Sequence, residues 1–333
     1  MNKTFLKIVV ALVAVIFLLP AASQAAQKKI VIKIGHVLTE SSAKHQGFLK
    51  FKAVLEASSD EFVVELYPNG QMGGDREVTE ATQLGNLTMS ATTSAPMANF
   101  EKDFFIFDVP FMFADRKEAY AFMDGEAGQY LLKKIERINL VGMGLWENGF
   151  RNLTNSRRAV RMPEDVKGIK LRTMENPLHL ALWRMLGANP APMAFGEVYT
   201  ALQQKTMDGQ ENPFGQIYDN KLFEVQPYIT KTRHLYQPFL VCANKAWFDK
   251  LTPKQKELVV AAMKEATAHQ RKMAEKLDDE KAALTQAAGR ELIELTAEQR
   301  DAFRKAVAPV LNEIKSRVSP EIFAMYEKFA SSR

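Results

Sequence analysis

Residues 208–213 read DGQENP, which sets two side-chain amides, Gln210 and Asn212, on either side of a carboxylate, Glu211. Asp208-Gly209 has turn chemistry and Pro213 keeps a helix from absorbing the polar residues, so these groups are expected at a rigid turn. Amides and a carboxylate held in that way suit recognition of a small polar molecule; a plain polar cap is the other reading. Upstream, Arg172 ends the strand-like residues 168–171, the place where open α/β sheets put ligand contacts. Its planar guanidinium offers a buried carboxylate two parallel donors, which lysine cannot reproduce. A surface ion pair is the ordinary alternative.

Enzyme chemistry finds no motif. There is no His-Glu-x-x-His pair, no Gly-x-Ser-x-Gly elbow and no Gly-x-x-x-x-Gly-Lys loop, and the five histidines lack metal-ligand spacing. Gly142-Met143-Gly144 begins like a dinucleotide fingerprint, but its third glycine, Gly149, falls two places late. Glu164-Asp165 and Asp278-Asp279-Glu280 read as solvated turns or helix faces. Neither a metal nor a cofactor is expected.

The elements that would hold these groups alternate. Residues 30–36, 62–67 and 87–92 are strand-like, and 43–57 and 76–83 helical; a second such region runs from the Asn148-Gly149 turn to about residue 233. That rhythm predicts α/β units rather than a bundle or sandwich. Residues 195–203 have helical spacing, with Phe195, Val198, Tyr199 and Leu202 on one stripe. Thr252, Pro253 and Gln255 form a capping box with proline at the first helical position. From there Leu258, Ala262, Ala266, Met273, Leu277 and Leu284 follow on one face without a proline before Gly289, which suits a C-cap. A helix of that length, about 50 Å at 1.5 Å per residue, would bridge two domains. A strand at 291–295 and a helix capped by Thr296 and Gln299 follow.

The first residues read as a secretory signal. Lys3 and Lys7 flank the apolar run 8–19, and Ser23-Gln24-Ala25 supplies a cleavage pattern, so the mature chain should begin near Ala26. Cys242 is the one cysteine, so no lipobox and no intrachain disulfide is expected. A soluble periplasmic protein follows. Loss of Lys3 and Lys7 lowers the formal charge from +5 to +3, and the basic residues lack the aromatic interleaving of a nucleic-acid binder. The 333 residues, 47% hydrophobic, suffice for one large or two medium domains.

Four stretches, in order, resemble the periplasmic solute-binding proteins of TRAP transporters, the DctP family. They are YPNGQMGGD at 67–75, with Met72 for the usual leucine; ENGFR at 147–151; Leu171-Arg172; and NPAPMAF with EVYTALQ and DGQENP between 189 and 213. The resemblance covers residues 30 to 329. It implies a two-lobed α/β receptor with a ligand cleft between the lobes and a long helix spanning both. Residues 28–147 plus 235–275 would form lobe I and residues 148–234 plus 276–333 lobe II, after a signal peptide at 1–25. It also implies Arg172 as the carboxylate anchor, Arg151 as a second basic group, Asn212 as a ligand-contacting amide and Phe195 as an aromatic packed on the ligand. Thr93, Glu175, Asn176, His36, Lys44 and His234 stand at strand ends or crossings, where specificity should arise. Sialic-acid-binding members carry acidic and basic groups near the position of Thr93 that are missing here.

The expected function is capture of a small organic acid, a sugar acid or a four-carbon dicarboxylate, and its delivery to a TRAP permease driven by an ion gradient. No catalysis and no nucleic acid is expected, and a monomer is the simplest state. A receptor feeding a sensor kinase, or a lyase or isomerase using Glu211, Glu175 or His234 as acid or base, are the alternatives.

Overall fold

The computed structural model describes residues 29–332; the signal segment and the cleavage point near Ala26 lie outside the described residues. Eleven strands are described: β1 (Ile30–Gly35), β2 (Phe62–Tyr67), β3 (Met89–Thr93), β4 (Leu140–Phe150), β5 (Asn152–Asn155), β6 (Lys170–Thr173), β7 (Asn189–Pro192), β8 (Gly209–Asn212), β9 (Tyr228–Thr230), β10 (Tyr236–Asn244) and β11 (Glu291–Ile293). They form two sheets, ordered β2-β1-β3-β10-β4 and β11-β9-β5-β8-β6-β7. In the first, β1 pairs in parallel with β2 and β3, while β10 runs antiparallel to β3 and β4.

β-branched residues explain the first sheet. Ile32 and Ile34 of β1 are fully buried and pack with Phe48, Phe51 and Leu55 of helix Ala43–Ser58. Each such side chain contributes about 1.5–3 kcal/mol through burial. Ser42 caps that helix by accepting from the His45 N–H.

The chain passes between the sheets through very short links. Arg151 alone separates β4 from β5, and its N–H donates to Leu235 O (2.9 Å) on the returning crossing. The Asn148-Gly149 pair, expected as a turn, lies inside β4 instead, where Gly149 has φ +118°. Pairing of β4 with β10 shifts register between Gln237 and Phe239. Pro238 sits at that irregularity, where a missing N–H costs the ladder nothing. Residues 209–212, expected at a turn, are strand β8, antiparallel to β5 with Asn152 opposite Asn212.

Helix Pro253–Ala287 begins at the expected capping box, with both reciprocal bonds between Thr252 and Gln255 made, and Gly289 follows its end at φ +78°. Val259, Ala262, Met263 and Ala266 join the core of the first sheet. Beyond them the buried face turns polar, through Gln270, Lys281 and Thr285, while Leu284 is exposed. The Lys281 ammonium pairs with Asp219 (2.5 Å) of helix Phe214–Asp219, which binds the helix to the second sheet's layer. Helix Pro320–Ser331 lies against residues 102–108 and 126–134, with Phe329 on Phe113 and Phe122 and Ser319 N–H donating to Asp103 (2.6 Å). Residues 320–331 therefore pack on segments expected in lobe I, although they were expected in lobe II. Among the described residues no helix is long and apolar enough to cross a membrane.

Candidate ligand cleft

Between the two sheets lies a cleft lined by Arg172, Arg151, Asn212, Phe195, Thr93 and Glu175. The lobes also touch across it. Asn148 Oδ1 accepts from Gln216 Nε2 (3.0 Å), and Glu175 O accepts from Asn99 Nδ2 (2.6 Å). An adjoining chamber shares Leu38, Asn148, Gln216 and Phe239 with the first and adds Lys44, Lys281, Glu147, Asp219 and Asp278. Asp278 is thus no solvated helix face: it accepts from Arg116 Nη2 (3.0 Å) and from Gly215 N–H (3.3 Å).

Arg172 stands in β6, between β8 and β7. Its Nε and Nη2 both donate to Met193 O (3.0 and 2.6 Å), which fixes the guanidinium plane. Nη1 is buried and has no hydrogen-bond partner among the described residues. The group sits 5.8 Å from the Phe195 ring centroid. Burial pushes its pKa down to about 10, against Glu211, so it stays cationic at neutral pH.

Arg151 is less free than expected. It is 1% exposed and forks onto Glu211, through Nε to Oε2 and Nη2 to Oε1 (2.9 Å), with Nη2 also donating to Glu211 O. His234 Nε2 lies 3.2 Å from Glu211 Oε2, and its Nδ1 shares a hydrogen bond with Thr232 Oγ1 (2.8 Å). Burial works to raise the Glu211 carboxyl, but the Arg151 charge and the bonds from His234 and Arg151 outweigh it and hold it well below the ordinary carboxylate range. Burial lowers the His234 pKa, with Glu211 opposing. His234 therefore backs the Arg151–Glu211 pair instead of lining the cleft.

Asn212 donates to Gln210 Oε1 (2.5 Å), Gln210 donates to Thr154 Oγ1 (3.0 Å), and Thr154 donates to Gln226 Oε1 (2.9 Å). That chain orients the Asn212 amide. Lys44 faces the adjoining chamber, donates to Ala91 O (2.9 Å) and lies 3.6 Å from the Phe239 ring centroid. Burial pulls its pKa down to about 8, with Asp75 opposing.

Two expected site residues serve the scaffold. Asn176 caps helix Pro177–Met185, accepting from Leu178 and His179 N–H, and donates to Ala95 O and Asp108 Oδ2. His36 stacks on Phe48 and exchanges a hydrogen bond with His45 (3.1 Å), while Leu38 N–H donates to its Nδ1. Neither lines the cleft. Conversely, the sequence reading did not single out Asp75, Asn148, Gln216 or Phe239, all of which line it. Asp108 was also missed; it gathers Asn176, His179 and Gln237 in one buried node. Asp75 could have been found, since it closes the YPNGQMGGD stretch at a helix start.

The chain matches, over residues 34–317, the family described as "Bacterial extracellular solute-binding protein, family 7", DctP. It is 37% identical over 299 residues, 89% of either chain, to the C4-dicarboxylate-binding periplasmic protein DctP of Rhodobacter capsulatus. The sugar acid binding protein DctPAm from Advenella mimigardefordensis, solved with galactonate, superposes with a TM-score of 0.89 at 35% identity, covering 92% of this chain and 99% of that one. A TRAP periplasmic solute binding protein from Sulfurospirillum deleyianum with bound succinate gives 0.86 at 31% identity, covering 90% and 99%.

Proposed function

Because the chain belongs to the bacterial extracellular solute-binding proteins of family 7, the DctP family, we propose that it is an exported receptor. It closes on a small organic acid and passes it to the membrane subunits of a TRAP permease. The observation that carries this reading is Arg172 Nη1, a charged donor buried in a cleft between two lobes without a hydrogen-bond partner among the described residues. A ligand carboxylate supplies the missing acceptor, and the Met193 carbonyl holds the guanidinium ready to receive it. Asn212 and Phe195 stand beside it as a polar contact and a packing surface.

Glu211 is clamped by Arg151 and His234, so it has no free role as a general base. The lobes close because the ligand binds the closed arrangement more tightly than the open one. The ligands of the related proteins, galactonate and succinate, each carry a carboxylate. The test is thermal shift of the mature protein against sugar acids, dicarboxylates, keto acids and neutral sugars. An acid at one hundred times its Kd should add about 2.7 kcal/mol of stability, and Arg172→Ala or Arg172→Lys should remove it. A response confined to neutral compounds, unchanged in Arg172→Ala, would sink the carboxylate anchor.

A further inference from the structure

Arg172 Nη1 is not alone. Asp75 Oδ1 and Gln216 Oε1 also line the cleft, buried and without a hydrogen-bond partner among the described residues. Buried polar atoms are normally paired, so three in one cleft describe what fills it. In each case the rest of the group is already tied down. Asp75 Oδ2 accepts from Thr93 N–H (3.2 Å), Gln216 Nε2 donates to Asn148 Oδ1 (3.0 Å), and the other Arg172 nitrogens donate to Met193 O. The open atoms are therefore fixed in place. One is a donor that needs an acceptor, and two are acceptors that need donors. A dicarboxylate offers acceptors only. Resting on the receptor reading above, we propose that the ligand is a polyhydroxylated monocarboxylate, with its carboxylate on Arg172 and its hydroxyls donating to Asp75 and Gln216. Asp75 is then the residue that selects hydroxy acids over dicarboxylates.

The charges agree. Arg151 is consumed by Glu211. Lys44 already has a backbone acceptor and lies in the field of Asp75. The adjoining chamber carries Lys44, Lys281 and three acids, Glu147 and Asp278 paired with Arg116 and Asp219 paired with Lys281. A second carboxylate would find Arg151, Arg116 and Lys281 already ion-paired, whereas hydroxyls can donate to the open oxygens of Asp75 and Gln216.

The experiment is calorimetric titration of the purified protein with gluconate, galactonate and glucuronate, with succinate, and with hexanoate, which has the carboxylate but no hydroxyls. At least one sugar acid should bind tenfold or more tighter than succinate and hexanoate, roughly the scale of a hydrogen bond to a charged group. Asp75→Asn should shrink the sugar-acid-to-succinate ratio by about tenfold or more, in part by strengthening succinate. A gain for succinate cannot come from misfolding. If succinate binds more tightly than every sugar acid, and Asp75→Asn leaves the ratio alone, the hydroxyl reading falls. The receptor reading then survives as long as Arg172→Ala abolishes succinate binding. No acid bound by the native protein would overturn both.

Discussion

Arg151 and Glu211 invite a direct test, because both are almost wholly buried, at 1% and 0% side-chain exposure, and share a bidentate contact. Arg151→Met keeps the side-chain volume and removes the charge. What remains is a buried carboxylate with His234 as its side-chain hydrogen-bond partner. With a charge separation of about 4 Å and an effective dielectric near 20, the lost attraction is about 4 kcal/mol. That falls within the roughly 3–5 kcal/mol seen when one partner of a buried pair is deleted. Glu211→Leu alone should cost a similar amount, by stranding the guanidinium. The double variant Arg151→Met/Glu211→Leu removes both charges and should cost well under the sum of the two, with a coupling of about 2 kcal/mol or more. Urea unfolding of the ligand-free protein, followed by tryptophan fluorescence, reads this directly, since Trp183 packs edge-on against His234 at 5.0 Å. The Arg151→Met variant should also recover as pH falls, because a proton on Glu211 or His234 relieves the unpaired charge. Additive costs in the double variant, or a single-variant loss below about 1 kcal/mol, would refute the assignment of this pair as one buried unit.

Other perturbations reach the scaffold. Gln270 accepts from Glu147 N–H (3.0 Å) and donates to Glu147 O (2.7 Å), stitching the long helix to β4; Gln270→Leu should cost about 1–3 kcal/mol for each group left unpaired, read as a lower urea midpoint, and an unchanged midpoint would contradict it. A Cβ on Gly47 would lie 2.7 Å from the Trp146 ring and 2.8 Å from Gln270 Cβ, so Gly47→Ala should lose about 1–3 kcal/mol by overpacking, and a stabilised Gly47→Ala in thermal unfolding would disprove the close approach. Burial lowers the pKa of His36, reinforced by Lys44 and His45, and that of His234. The unfolded chain therefore takes up protons below about pH 6.5 that the native state refuses. The stability these neutral histidines contribute is full above that pH and lost below it, by up to about 1.4 kcal/mol per pH unit for each. His36→Asn should flatten the slope of unfolding free energy between about pH 7 and 5.5; an identical slope would show that His36 binds its proton in both states.

Local signals were legible where local chemistry decides. The Thr252-Pro253-Gln255 box and Gly289 bracket the long helix, and the β-branched run at the start of the mature chain became β1. Arg172 was placed at the end of a strand because residues 168–171 read as one, and β6 contains it. The failures came from distance in sequence. Glu211 was read with its neighbours in a turn, yet its partner Arg151 is sixty residues upstream and the segment pairs as a strand with β5. Asn176 follows Arg172 closely, but its following proline makes it a helix cap, a local cue that the sequence did contain. Gln216 and Asn148 meet only because two lobes face each other, and nothing in either residue's surroundings announces that. The polar half of the long helix's buried face escaped an apolar-spacing argument for the same reason: its partners, Glu147 and Asp219, belong to other segments.

That helix is anchored at two places of unlike character. Its first half is set in hydrocarbon, among the core of the first sheet, and its far end is held to the second by the Lys281–Asp219 pair. A hydrogen-bonded rod neither stretches nor shortens appreciably, so any swing of one lobe against the other must be absorbed by curvature along the rod or by slip at its ionic end. The Lys281–Asp219 contact is then a latch whose strength is set in the same free energy as the ligand's grip. On the receptor reading proposed above, Lys281→Met should weaken the helix's hold on the second lobe and shorten ligand dwell time without touching a single atom of Arg172.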